Sequence, residues 1–292
     1  MAGFIVLIIG LILNWIPLAL IFSLFFDYPQ NLIYPGLIIL AAGIFAISPI
    51  NESIGRITLG CRPATTEETR KILGAWNQVI DSIGESLDIN VRERFEKVNL
   101  FVSDEKLPNA FALGRNTVCV TKGLLNLSAT SSIAGVLAHE AGHLHFGDSQ
   151  RLAIAITVNQ LGILAYNVLN LLARIVNGLG QGSVCIGSGF SRSGGGVFAM
   201  IGAIWSLFAL VARLILQAFC FVSQLSMDLS IKAVGRNEEF RADLFAKNIG
   251  YGQPLAKFLR RIEALESAPQ NIWQVLYRTH PPTAERIDRL EK

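Results

Sequence analysis

Residues 137–150 read LAHEAGHLHFGDSQ and hold three of the chain's four histidines. His139 and His143 stand four apart, so on a helix their imidazoles leave one face about a turn from each other, close enough to bind one metal ion. Glu140, next to the first histidine, falls beside such an ion rather than on it. A carboxylate in that position can take a proton from a water that the metal has made acidic. H-E-x-x-H is therefore the spacing of a hydrolytic Zn²⁺ site. The plain alternative is a surface helix with two histidines. Small neighbours Ala138, Ala141 and Gly142 leave room around a metal and weigh against it. His145, two beyond His143, points to another side of the helix and reads as a packing or surface residue.

A catalytic tetrahedral site needs a third protein ligand and one open position. The extended pattern H-E-x-x-H-x-x-G-x-x-H fails, because Phe146 stands at its glycine and Ser149 at its last histidine. A distant carboxylate is needed. NEEFRADLF offers Glu238 and Glu239, but only Glu239 has an acid four residues on, Asp243. On a helix that pair shares a face, so Glu239 can bind the metal while Asp243 accepts the N–H of a ligand histidine. An acidic exposed helix face is the bland reading of the same string. His280 lies in THPPTAERI, where Pro281 and Pro282 fix the chain and Arg286 follows at helical distance. Either the two reach the site and stabilise a developing oxyanion, or they make a proline-capped helix start with a structural salt bridge.

The elements that must position these groups sit in an apolar chain. Of 292 residues, 51% are hydrophobic and 16% charged, with mean hydropathy +0.45, which places much of the chain in lipid. Phe4–Phe26 and Leu32–Ile50 are uncharged runs separated by DYPQN; Leu152–Ala173 and Val197–Met227 are two more, the last broken only by Arg213. A hydrocarbon core takes about 20 helical residues, so four transmembrane helices in two hairpins are expected. The start MAGF has no basic residue and the first run is long, so it reads as an anchor rather than a cleaved signal. Four crossings give a first hairpin (1–50), a first soluble part (51–151), a second hairpin (152–227) and a second soluble part (228–292). The two soluble parts hold 22 of the 25 Lys and Arg residues, which puts them in the cytosol. Residues 177–196 contain eight glycines and read as a flexible connecting loop.

In the soluble parts, TTEETRKILGAWNQVIDSIGESL has helical periodicity, and KVNLFVS, NAFALG and NTVCVTKG read as a small antiparallel sheet. Ser128 or Thr130 can cap the histidine-bearing helix. Helices are also expected over GRNEEFRADLFAKNIG, PLAKFLRRIEALES and THPPTAERIDRL. The fold class is thus an α+β membrane protein with a mainly helical soluble domain. Four scattered cysteines read as reduced thiols, and a net charge of +3, well mixed, excludes a nucleic-acid surface.

The strings PNAFALG, HEAGH, EFRAD and THPPTAERI, in a chain with paired apolar runs before and after HEAGH, resemble the HtpX-type membrane metalloproteases of peptidase family M48. The resemblance covers nearly the whole chain. It implies a zincin-like, gluzincin-type endopeptidase with one Zn²⁺ on His139, His143 and Glu239, Glu140 as catalytic base, and Asp243 supporting a ligand. It also implies that Asn109, with Ala110 and Phe111, belongs to an edge strand beside the substrate cleft, and that His280 and Arg286 line the site. A bacterial inner-membrane location, cleavage on the cytosolic side, protein quality control and self-cleavage follow from the likeness alone. The Gly-rich connector has no assignment from it, and Ala141 replaces the larger aliphatic common there.

The reaction so implied is peptide-bond hydrolysis, with polypeptides, chiefly membrane proteins, as substrates and the bilayer as a partner. His143 stands nine residues before the third apolar run and Glu239 twelve after the fourth. Helical links of that length extend only about 13 to 18 Å, so the metal is expected close above the bilayer. The rival reading is a catalytically inactive, zinc-stabilised membrane scaffold, for which Glu140 has no use.

Overall fold

The computed structural model describes residues 2–87, 89–127, 129–189, 195–266 and 283–292. It divides into two compact units, 1–43 with 155–230, and 44–154 with 231–292.

The first unit is helical and apolar. It contains α1 (Ala2–Phe22), most of α2 (Gln30–Ala46), and the greater parts of α8 (Asp148–Gly189) and α9 (Gly195–Asn248). Trp15 Nε1 donates to the Leu32 carbonyl at 3.1 Å, and Tyr34 meets Phe22 and Phe26, which stack on each other, edge to face. Among the described residues, Asp148–Ile175 is long and apolar enough to cross a membrane, with mean hydropathy 1.6. Gln30–Ala46 with Pro49–Thr58 makes a second span if that pair, bent by 66°, is one; Ile8–Phe22 and Met200–Ile215 are shorter apolar helices. The loop expected over 177–196 is helical up to Gly189 and again from Gly195, since α8 and α9 continue into it. Glycine lowers helix propensity by only about 1 kcal/mol per residue, and propagating an existing helix adds one backbone bond per residue, so two long helices carry through it.

The second unit holds α3 (Pro49–Thr58), α4 (Thr66–Ser86), α5 (Ile89–Glu96), α6 (Lys122–Leu127), α7 (Thr130–Phe146), α10 (Gly252–Glu266) and α11 (Thr283–Glu291). The end of α9 belongs to it as well. Helix α4 starts at a capping box: Thr65 Oγ1 accepts from Glu68 N, and Glu68 Oε2 accepts from Thr65 N at 2.8 Å. Its buried stripe Ile72, Trp76, Val79, Ile80 and Ile83 packs on α7, as does α10. Helix α7 is buried almost all round from Ser132 to Gly142, so it runs through the core rather than over it. Ala129 is its N-cap and gives no side-chain bond; Thr130 is its first residue, and Ser128 lies outside the described residues. Gly147 ends it in the left-handed region, φ 71°, and α8 begins at once.

The sheet corrects the expectation of an antiparallel one. Its strands β1 (Cys61–Arg62), β2 (Asn99–Ser103), β3 (Ala110–Leu113) and β4 (Thr117–Thr121) lie in the order β1-β2-β4-β3, and β2 pairs with β4 in parallel, Asn99 opposite Thr117 to Ser103 opposite Thr121. Strands β3 and β4 form a tight hairpin around Gly114, φ 55°, while the longer link 104–109 carries the chain past β4 before β3 begins. The central strand β4 is buried at every residue, which makes TVCVT a nearly continuous apolar run instead of an alternating one. Strand β3 is left at an edge and lies against α7.

Candidate metal centre

Helix α7 contributes His139, Glu140 and His143, the last turns of α9 contribute Glu239 and Asp243, α11 contributes Arg286, and Asp148 opens α8. The first two helices approach each other closely at Gly142. A Cβ there would stand 2.9 Å from Ala242 Cα and 3.2 Å from Ala242 Cβ, so only glycine allows this separation. Ala242 sits between Glu239 and Asp243 in the helix, so the contact sets the height of both acids against the histidines.

The result is a tight cluster of donor atoms from three side chains. His139 Nε2 and His143 Nε2 are 3.2 Å apart, His139 Nε2 lies 3.4 Å from Glu239 Oε2, and His143 Nε2 lies 3.3 Å from Glu239 Oε1. Each ring is oriented from behind. His139 Nδ1 faces Asp243 Oδ1 at 2.9 Å, and His143 Nδ1 faces Asp148 Oδ2 at 3.0 Å. An ionised carboxylate only accepts, so each Nδ1 donates its proton to the acid behind it, and Nε2 is the nitrogen that each ring turns toward Glu239 and a cation.

A further layer holds these carboxylates. Arg286 donates from Nε to Asp243 Oδ2 at 2.9 Å and from Nη2 to Oδ1 at 2.8 Å, and its Nη1 lies 3.2 Å from Glu239 Oε2. Asp148 Oδ1 is held by both Arg151 and Arg241, and Arg151 also reaches Glu238 Oε1 at 3.0 Å. His139, Glu140, Glu239, Asp243, Asp148 and Arg286 are all buried.

Burial alone would lower both imidazoles. The carboxylates overcome it: Asp243 and Glu239 raise His139, and Asp148 and Glu239 raise His143 well above its ordinary value. Burial likewise opposes ionisation of Asp243, but His139 and Arg286 keep its pKa low. The negative charge of Glu140 acts on both His143 and Arg286.

This donor set fits a small divalent cation. Zn²⁺ bonds to nitrogen and oxygen are about 2.0–2.1 Å, which puts neighbouring ligand atoms about 3.3–3.4 Å apart, and the Nε2–Nε2 distance and the distance from each Nε2 to one Glu239 oxygen are of that size. His139, His143 and Glu239 form the three-ligand group of His, Cys, Asp or Glu that could hold a metal among the described residues. Three protein ligands leave one tetrahedral position for water or substrate.

Of the other residues singled out in the sequence, His280 lies outside the described residues. Asn109 is exposed at the start of the β3 edge, where its Oδ1 accepts from Ala110 N at 2.9 Å, and its N–H donates to Thr121 Oγ1 at 2.8 Å. Ala110 is buried and Phe111 half-buried. His145 packs between Phe146 and Phe245, with ring centroids 4.9 and 5.1 Å away. Its pKa is lowered by burial and then by Arg94 and Arg241. Sequence reasoning missed Asp148. The available signal was a helix-ending glycine directly followed by an acid, HFGD, which turns the chain back toward the preceding histidine.

Residues 75–292 match the profile of peptidase family M48. The chain belongs to peptidase family M48. M48 relatives with similar sequences include the protease HtpX homolog of Thermoanaerobacter pseudethanolicus, 26% identical over 297 residues, covering 91% of this chain and 88% of that one. The protease HtpX homolog of Tropheryma whipplei strain Twist is 28% identical over 269 residues, covering 88% and 84%. The crystal structure of S. mikatae Ste24p shares the fold, with TM-score 0.53 at 16% identity over 97% of this chain; the chain spans 62% of the length of that structure.

Proposed function

We propose that this M48 member is a membrane-embedded zinc metalloendopeptidase. The observation that carries the reading is the donor cluster of His139, His143 and Glu239, with contacts of 3.2–3.4 Å between its side chains, next to a buried carboxylate, Glu140, that is not one of the three. The three ligands would hold one Zn²⁺ per chain, which when bound polarises a scissile carbonyl and acidifies the attacking water.

The remaining work falls to the chain. The Glu140 carboxylate accepts the water proton and delivers it to the leaving amine nitrogen. Asp243 and Asp148 hold the Nδ1–H groups of the two histidines, which would leave both Nε2 atoms to bind the ion. Arg286 is a positioning residue, clamping Asp243 and balancing the charge of Glu239. His280 is assigned to the same site as a donor to the developing oxyanion. An extended peptide adds to the open edge of β3 along Asn109, Ala110 and Phe111, which brings it beside α7.

The four apolar runs are assigned as four spans in two hairpins, with the second unit in the cytosol of a bacterial cell. Since α8 runs on from α7 after a single glycine, the substrates are polypeptides at the bilayer surface, chiefly membrane or misfolded proteins. The test is cleavage of an unfolded protein by the purified, detergent-solubilised chain with zinc, with chelator, and after replacement of Glu140 by Gln. Zinc-dependent cleavage that disappears in Glu140→Gln while bound zinc remains supports the enzyme. Equal cleavage with and without metal, or none from the zinc-loaded wild type, overturns it in favour of a zinc-stabilised scaffold.

A further inference from the structure

Helix α3 follows α2 after only Ile47 and Ser48, and the two are bent by 66°. Ser48 caps it, accepting from Asn51 N at 3.3 Å, and Pro49 opens it, so the change of direction is written into the sequence. Its two faces differ sharply. Ile50, Ile54 and Ile57, at i, i+4 and i+7, occupy one narrow stripe and are 65, 49 and 79% exposed. No residue of α3 is buried.

The opposite face is fully engaged. Glu52 accepts from Thr117 Oγ1 and, at 3.1 Å, from Arg115 N, Arg56 donates to Thr117 Oγ1 at 3.1 Å, and Gly55 stands against Leu113. These contacts hold the turn of the β3–β4 hairpin. Ten residues rise only about 15 Å, half a hydrocarbon core, and they include Glu52 and Arg56, so α3 cannot complete a crossing. What remains is an amphipathic helix at the end of an uncharged apolar one, with isoleucines facing outward and its polar side committed to the sheet.

We propose that α3 is an in-plane membrane anchor: its Ile50–Ile54–Ile57 face lies in the acyl boundary of the bilayer, and its Glu52–Arg56 face carries the sheet. The occupant of the exposed stripe is lipid because α3 leaves an uncharged apolar helix after two residues, and the stripe has the spacing and polarity contrast of helices that lie in the interface. Ile47, in the bend before the cap, and Leu59, the residue after the helix, are also exposed apolar residues, at 44 and 49%. The anchor sets the level of the β3 edge strand over the bilayer through Glu52. The inference rests on the membrane assignment made above, but not on the metal or on catalysis.

The test incorporates the photo-crosslinker p-benzoylphenylalanine singly at 50, 54 and 57 in the full chain, reconstituted in phosphatidylcholine–phosphatidylglycerol vesicles. Position 156, in the apolar stretch of α8, serves as the lipid-facing reference, and position 89, an exposed isoleucine on α5, as the water-facing one. After irradiation, phospholipid adducts are measured by intact-protein mass. Adducts at 50, 54 and 57 within about threefold of the yield at 156, and well above that at 89, are expected. Adducts at 156 without adducts at 50, 54 and 57 overturn the anchor while leaving the spans standing. Crosslinks from those positions to protein, including a second copy, overturn it as well. Absence of adducts at 156 too brings down the membrane assignment together with the anchor.

Discussion

His143 Nδ1 lies 3.0 Å from Asp148 Oδ2, and the other oxygen of Asp148 is gripped by Arg151 and Arg241. The imidazole is thereby oriented by an acid five residues on that is itself fixed. Asp148→Ala should weaken zinc binding about 10- to 100-fold, measured by competition with a chromogenic chelator. Asp148→Asn should lose less, because its amide oxygen still accepts the Nδ1–H. Equal affinity in wild type and Asp148→Ala would remove the acid from the site.

Glu140→Gln keeps the size of the side chain and removes its ability to take a proton. Zinc content by atomic spectroscopy should stay at one per chain, while the cleavage rate falls by about a hundredfold to ten-thousandfold. Loss of zinc together with activity would instead make Glu140 a ligand.

Gly142 separates α7 from Ala242 of α9. Gly142→Ala forces apart the helices that carry His139, His143 and Glu239. We expect a stability cost of about 1–3 kcal/mol in thermal unfolding, with zinc affinity reduced as well. Gly74, around which a Cβ meets nothing within 4 Å, is the control. Gly74→Ala, in the interior of α4, should leave zinc affinity unchanged and raise stability by about 0.5–1 kcal/mol, the opposite sign to Gly142→Ala.

Arg286 makes two bonds to Asp243 and a contact with Glu239 while buried. Arg286→Met strands two carboxylates and should cost about 3–5 kcal/mol in the metal-free protein. Zinc should recover part of that loss, since it supplies positive charge to Glu239. Arg286→Lys, lacking the planar fork, should not restore stability fully. Unfolding temperatures with and without zinc give the comparison.

Glu68 completes the capping box of α4 and bonds to Arg62, whose guanidinium is the main reason that its pKa falls to about 2. A carboxyl that is more acidic in the folded chain stabilises it above the unfolded value, about 4.3, and loses that effect as pH falls toward about 2. The difference in unfolding temperature between wild type and Glu68→Gln should therefore be largest near neutrality and shrink below pH 4. A difference independent of pH would mean that the charge contributes nothing.

Local patterns in the chain were readable wherever one element contained the whole signal. The stripe Ile72, Trp76, Val79, Ile80 and Ile83 identifies α4, and its acidic first turn marks the start. The i, i+4 spacing of His139 with His143 and of Glu239 with Asp243 puts each pair on one helical face. Strand direction was not readable in this way. KVNLFVS, NAFALG and NTVCVTKG identify strands, but whether β2 lies beside β3 or beside β4 depends on where the 104–109 link is led by the helices packed over the sheet. Glycine content likewise failed at 177–189, because a local preference for loop was overridden by the continuity of a long helix.

By itself, then, the sequence determined the residue types of the donor set, the helical faces that present them and the apolar character of the chain, since each depends on spacing within about one or two turns. Tertiary structure alone decided that Glu239 meets His139 and His143 at 3.3–3.4 Å, that Asp148 backs one ring, and that Arg286 clamps the acid behind the other. Those distances join residues up to 100 positions apart, and they are set by backbone contact at Gly142 and by a left-handed turn at Gly147. Helical periodicity repeats only along a single axis, so it carries no information about how closely two axes approach.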